Sequence, residues 1–144
     1  MKSKISLLII GMLLSIFISC NQKQQSTSES PKKYEMKIIK VDGIWRVVDA
    51  TDTTKTKLQV HRKDTIVWTV EGTNAYFQFP DSIFKAVNTA DSLTNGYTKY
   101  IRSGHKLKLK IKDNAPFKTY VYAVFCTADS MFAQADSPPK IIIK

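Results

Sequence analysis

The side chains best suited to chemistry lie near the end of this chain. The stretch YVYAVFCTADSMF, residues 120 to 132, carries Cys126 at the close of an alternating aromatic and apolar run, with Met131 five positions on. A thiolate and a thioether are soft donors and suit Cu(I). The chain holds two histidines, His61 and His105, each in a turn ahead of a strand and each expected far from Cys126. Thr127, Ala128, Asp129 and Ser130 follow the cysteine and supply no imidazole. Two readings stand. Cys126 is a small hydrophobe buried under the following loop, with no cofactor, or Cys126 and Met131 together handle copper. The first is the expectation.

Other reactive patterns are missing. There is no Gly-x-Ser-x-Gly, no His-Glu-x-x-His, no Cys-x-x-Cys pair and no phosphate-cradling glycine loop. A non-enzymatic protein is expected. Asp49 and Asp52 sit in the polar stretch DATDTTKTK and read as solvated carboxylates; Trp45 and Trp68 sit in strands and read as core. The stretch from Ser92 to Lys112 is more informative. It holds Lys99, Arg102, Lys106, Lys108, Lys110 and Lys112, with His105 and no acid. In KLKLKIK, residues 106 to 112, the lysines alternate with Leu107, Leu109 and Ile111, so the strand buries one face and presents ammonium groups on the other. Those lysines either guard an edge against stray pairing or form an anion-docking patch. In the second case Lys99 and Arg102 join them from a preceding strand paired alongside.

Three segments must position these groups. In the first, residues 1–19, Lys2 and Lys4 precede a largely apolar run of 14 residues from Ile5 to Ile18, shorter than the roughly 20 of a spanning helix. With Ser19 before Cys20, this resembles a bacterial lipoprotein signal, which implies a diacylated Cys20 as the mature N-terminus. Residues 20–34 then read as a flexible tether, since NQKQQSTSESPKK has no large apolar side chain. Residues 35–144 are long enough for one core. The formal charge is +10, and loss of Lys2 and Lys4 leaves +8. A basic protein on a cell-envelope membrane, facing the periplasm, meets anionic lipid, acidic glycan or protein partners, and no nucleic acid. If Cys20 carries lipid, Cys126 has no partner for a disulfide.

Period-2 alternation runs through residues 35–144. Asp42-Gly43 reads as a two-residue hairpin turn between Met36–Val41 and Ile44–Asp49. Strands follow at Leu58–Val60, Thr65–Val70, Ala75–Phe79, Tyr97–Arg102, Lys106–Lys112 and Phe117–Cys126, the last expected to be the longest, and KIIIK closes the chain. Asp81 or Ser82 is expected to cap one short helix near 81–88. The layout is an all-β antiparallel Greek-key sandwich.

Three stretches give it a family likeness: HRKDTIVWTV, the FQF strand after it, and YVYAVFC with its terminal cysteine. Together with PPKIIIK they resemble the cupredoxin-like β-sandwich, over most of Leu58 to Lys144. In that family's copper-binding members one histidine lies between the strands here ending at Val70 and holding Phe77, a second follows the cysteine, and a methionine follows that. Blue-copper chemistry uses two imidazoles and a thiolate in a near-trigonal plane with a weak axial thioether. Here Asn74 to Tyr76 contain no histidine, and Met131 stands closer to the cysteine than the axial ligand does. The resemblance therefore implies a metal-free, cupredoxin-like binding module, with loops 71–75 and 127–137 carrying contacts.

Overall fold

Asp42 and Gly43 turn the chain with φ of 50° and 81°, the left-handed pair that a tight hairpin between right-twisted strands requires. This computed structural model describes residues 30–135 and 138–144; the leader, Cys20 and most of the expected tether lie outside the described residues. The hairpin joins β1 (Lys33–Val41) to β2 (Ile44–Asp49). Then come β3 (Leu58–Val60), β4 (Thr65–Val70), β5 (Ala75–Gln78), β6 (Phe84–Ala86), β7 (Thr98–Ile101), β8 (Lys106–Ile111), β9 (Thr119–Val121), β10 (Ala123–Cys126), β11 (Met131–Phe132) and β12 (Lys140–Ile143).

They form three sheets, ordered β2-β1-β4-β8-β6, β11-β10-β5-β7 and β3-β12-β9. Most neighbours are antiparallel; β1 with β4 and β12 with β3 are parallel. Asp64 fixes the first parallel pair. Its buried carboxylate accepts from the backbone N–H of Lys32 and of His61, both at 2.7 Å, and so ties the start of β1 to the turn before β4.

The sheets meet around Trp68. Its ring lies 5.7–6.0 Å from those of Phe77, Phe79, Phe84 and Tyr122, and its indole N–H donates to the Tyr122 hydroxyl at 3.2 Å. Burial raises the Tyr122 phenol far above its ordinary value, the bond from Trp68 opposing. Ile66, Leu107, Leu109 and Ile111 come from one sheet and Phe77, Val124 and Cys126 from the second, while Val60, Tyr120 and Ile141 come from the third; all are buried. Such burial is the main force holding the sheets together.

Two sequence expectations fail here. No helix forms near 81–88. Ile83 and Phe84 are buried and Lys85 exposed, and Phe84–Ala86 pair with β8 instead. A helix of about one turn carries a nucleation cost with little return, whereas a strand there satisfies β8's otherwise unpaired backbone. Among the described residues the one helical piece is a 3₁₀ turn at Thr89–Asp91, capped by Asn88. The run from Phe117 to Cys126 is also not one strand. It breaks at Tyr122, whose N–H donates to Pro139 O at 3.0 Å; β9 then serves one sheet and β10 another.

Candidate functional site

The cysteine lies at one end of the four-stranded sheet. Cys126 stands between Ala75 and Met131 in cross-strand register and is fully buried. Burial, reinforced by the Asp129 charge, pushes its thiol up to about 11. A metal-binding or nucleophilic thiol needs the opposite shift. The loops around it are fastened to one another. Asn74 O accepts from Thr127 N at 3.0 Å, the Asn74 side chain accepts from Ser103 N at 3.0 Å, and Thr73 Oγ1 accepts from Ala128 N at 3.1 Å. Asn74 is thus a structural staple between loops.

The turn holding His105 is at this same end, contrary to expectation, because Ser103 is tied to Asn74 and His105 O accepts from Val70 N at 3.1 Å. Even so, no three His, Cys, Asp or Glu side chains cluster to hold a metal among the described residues. The donor set does not fit a blue-copper centre. Met131 is half open to solvent on a two-residue strand.

The basic residues form a more developed arrangement. β8 buries Leu107, Leu109 and Ile111 and turns Lys106, Lys108 and Lys110 outward. β8 is not an edge strand. β4 pairs along one side of it. On the other side β6 pairs with residues 109–111, and the buried Asp91 carboxylate accepts Lys108 N at 3.0 Å. Edge protection therefore does not explain these lysines.

The register extends the patch beyond β8. Lys33, Thr65, Lys110 and Lys85 stand in one row across four strands, and Lys37, Thr69 and Lys106 in another. Lys85 lies directly opposite Lys110, a like-charge pairing that destabilises a sheet. Lys112 falls just past the strand and donates to Ser82 Oγ at 2.8 Å; with Lys85, Lys108 and Lys110 it borders a shallow hollow. Asp113 borders the same hollow, while two other acids near these rows are paired with lysines. Glu35 pairs with Lys33, whose hydrogen bond and charge lower its pKa, and Glu71 pairs with Lys37 at 3.2 Å.

The strand holding Lys99 does not pair alongside β8 as expected. β7 pairs with β5 in the other sheet, and Arg102 follows just past its end; the two residues meet the patch only at Lys106, with which they border a hollow. The turn from Arg102 to His105 is long enough, about 13 Å extended, to cross the roughly 10 Å between packed sheets. Alternation alone does not say which strand a neighbour pairs with. Sequence reasoning also missed Lys85, since its segment read as helix, and Lys33 and Lys37, since parallel pairing of β1 with β4 leaves no local signal.

No protein-family model matches the chain, and no curated protein is similar to it. The similar solved structures are cupredoxins. An oxidized mutant of amicyanin has a TM-score of 0.40 at 12% identity, covering 77% of this chain and 81% of that one. A multicopper oxidase variant from the hyperthermophile Aquifex aeolicus has 0.49 at 8% identity over 80% of this chain and 30% of that one. The multicopper oxidase from Campylobacter jejuni, a metallo-oxidase, has 0.47 at 10% identity over 83% and 27%. The chain thus spans under a third of either oxidase, and at these scores and identities the likeness assigns it no activity.

Proposed function

We propose that this chain is a non-enzymatic, lipid-anchored envelope protein whose domain rests its lysine face on anionic headgroups and acts as a binding module. The observation that carries the reading is the Lys85–Lys110 pair on a strand already paired along both sides. A sheet gains nothing from like charges set opposite each other, so an external anion is the natural partner. The anchor reading adds proximity. Lys33, the first residue of β1, stands in the same row as Lys85 and Lys110. It lies thirteen positions after Cys20, which at full extension is about 45 Å. Acyl chains on Cys20 would hold the patch near the bilayer, where each lysine contributes about 1 kcal/mol against an anionic surface. Two modest attachments then reinforce each other.

Two experiments test it. The parent chain should take up palmitate and fractionate with membranes, and Cys20→Ala should do neither; equal labelling of the two removes the anchor. The full chain in vesicles containing phosphatidylglycerol should show Lys85, Lys106, Lys108 and Lys110 protected from acetylation, with protection lost at high salt. Equal labelling in purely zwitterionic vesicles rules out headgroup docking.

A further inference from the structure

The opposite face of the sandwich carries a different pattern. Cross-strand register places Phe132 beside Phe125, Phe125 beside Tyr76, and Tyr76 beside Tyr100. The four rings form one row across all strands of the β11-β10-β5-β7 sheet, about 14 Å from first strand to last. Phe125 and Phe132 meet edge to face at 5.3 Å, and Tyr76 and Tyr100 lie 4.7 Å apart. The row is open: Phe132 is 61% exposed, Tyr76 52% and Tyr100 41%. The buried tyrosines use their hydroxyls, Tyr120 on Pro116 O and Tyr122 with Trp68. Those of Tyr76 and Tyr100 meet no partner among the described residues. A contiguous exposed aromatic patch on a small domain marks an interaction surface.

We infer that this aromatic row, with Arg102 and Lys106 beside it, docks an acidic polysaccharide. Three observations select that occupant. First, a sugar ring offers an apolar C–H face for stacking and hydroxyl edges for hydrogen bonds, and the row supplies ring faces with two free phenol hydroxyls. Second, the next residues on the same face are Ala123, Gln78 and Thr98; the amide and the hydroxyl set further hydrogen-bonding groups beside the rings, within reach of sugar hydroxyls. Third, the charge is complementary. Tyr100 also borders a hollow lined by Lys99, Arg102, His105 and Lys106. Lys99 Nζ donates to Ala90 O at 2.5 Å and to Ser92 O at 2.9 Å. Arg102, His105 and Lys106 are exposed. The one acid there, Asp91, is buried and committed to Lys108 N. Sugar rings stacked along the row would lead their carboxylate or sulfate groups into this cationic end. The aromatic row belongs to a different sheet from the lysine patch and meets it at Lys106, which borders both; the tyrosine variants therefore test this site apart from the anchored reading.

The test is affinity electrophoresis of the full chain, in detergent micelles, through gels containing polygalacturonate or neutral dextran. Polygalacturonate should retard the parent. The double variant Tyr76→Ala/Tyr100→Ala should bind about tenfold or more weakly, while Tyr76→Phe/Tyr100→Phe should keep most of the retention. Arg102→Gln/Lys106→Gln should lose retention on polygalacturonate. Since all four positions are exposed, melting curves should match the parent. Free migration of the parent, or equal retardation of the parent and the Tyr→Ala variant, overturns the inference. So does preferential binding of oligothymidylate, or a dimer that the Tyr→Ala variant dissociates without any glycan retention.

Discussion

Asp129 and Trp45 are joined across the end of the sandwich: the carboxylate Oδ2 accepts the indole N–H at 2.6 Å. The same oxygen accepts the Lys40 ammonium at 2.8 Å. The loop after Cys126 is thereby pinned to the β1–β2 hairpin, and its Asp129 charge acts on the buried thiol. Hydrogen bonds from Lys40 and then Trp45 hold the Asp129 carboxyl below the usual carboxylate range. A depressed folded-state pKa means the clamp is fully present above the ordinary carboxylate range and is lost as pH falls through the depressed value.

Asp129→Ala should therefore loosen residues 127–131 without unfolding the sheets. The native-state alkylation rate of Cys126 should rise several-fold, with a small loss in melting temperature. An unchanged rate would show that the Asn74 and Thr73 bonds suffice to close this end.

The Cys126 thiol makes a pH prediction with the opposite sign. Its folded value is raised from an ordinary 9 to about 11. The unfolded chain loses that proton first, so stability is intact below about pH 9 and falls as pH rises through 11. A shift of this size corresponds to roughly 2–3 kcal/mol. Tyr120 and Tyr122, both raised by burial, add a fall of the same sign at higher pH. Urea titrations of the parent and of Cys126→Ala between pH 8 and 11 isolate the thiol: the variant should show the shallower slope. Cys126→Ser should cost about 1–3 kcal/mol at neutral pH, since a hydroxyl enters an apolar site without a partner.

At the centre of the core, Tyr122→Phe tests whether the Trp68 indole needs its acceptor. The substitution removes one oxygen and leaves the Trp68 N–H buried and unpaired. A loss of about 1–3 kcal/mol is expected, with Trp68 emission shifted. It should also flatten the stability profile above pH 10, because the buried phenol no longer resists ionisation.

How far residues announce these features depends on how local their cause is. Asp42-Gly43 gave away its hairpin, because a left-handed pair is a property of two residues. KLKLKIK showed which side of β8 is buried, because alternation is written along one strand. The Tyr120, Tyr122, Val124 and Cys126 side was legible for the same reason, and all four are buried. What alternation does not encode is the neighbour. Lys85 faces Lys110, and Phe132, Phe125, Tyr76 and Tyr100 line up, only because of pairings between distant segments. A faint signal existed for the aromatic row. Tyr76 and Phe125 occupy the outward phase of otherwise amphipathic strands, where a polar residue is the usual choice.

The Lys85–Lys110 pair offers the sharpest separation between stability and binding. If the sheet alone were at stake, an acid at position 85 would be the better residue: it would exchange a like-charge pair for an opposite-charge pair worth about 0.2–1 kcal/mol. Lys85→Glu should thus raise the denaturation midpoint slightly, with no change in the denaturant slope. The same substitution puts a negative charge in the patch and should weaken docking of the full chain on phosphatidylglycerol vesicles, most clearly at low salt. Residues kept for a binding role often cost the fold some stability, and this variant reads both quantities from one protein. Stabilisation without any loss of vesicle contact would mean that the lysine face is merely solvated. Loss of contact with no gain in stability would mean that Lys85 and Lys110 splay apart into water and do not repel.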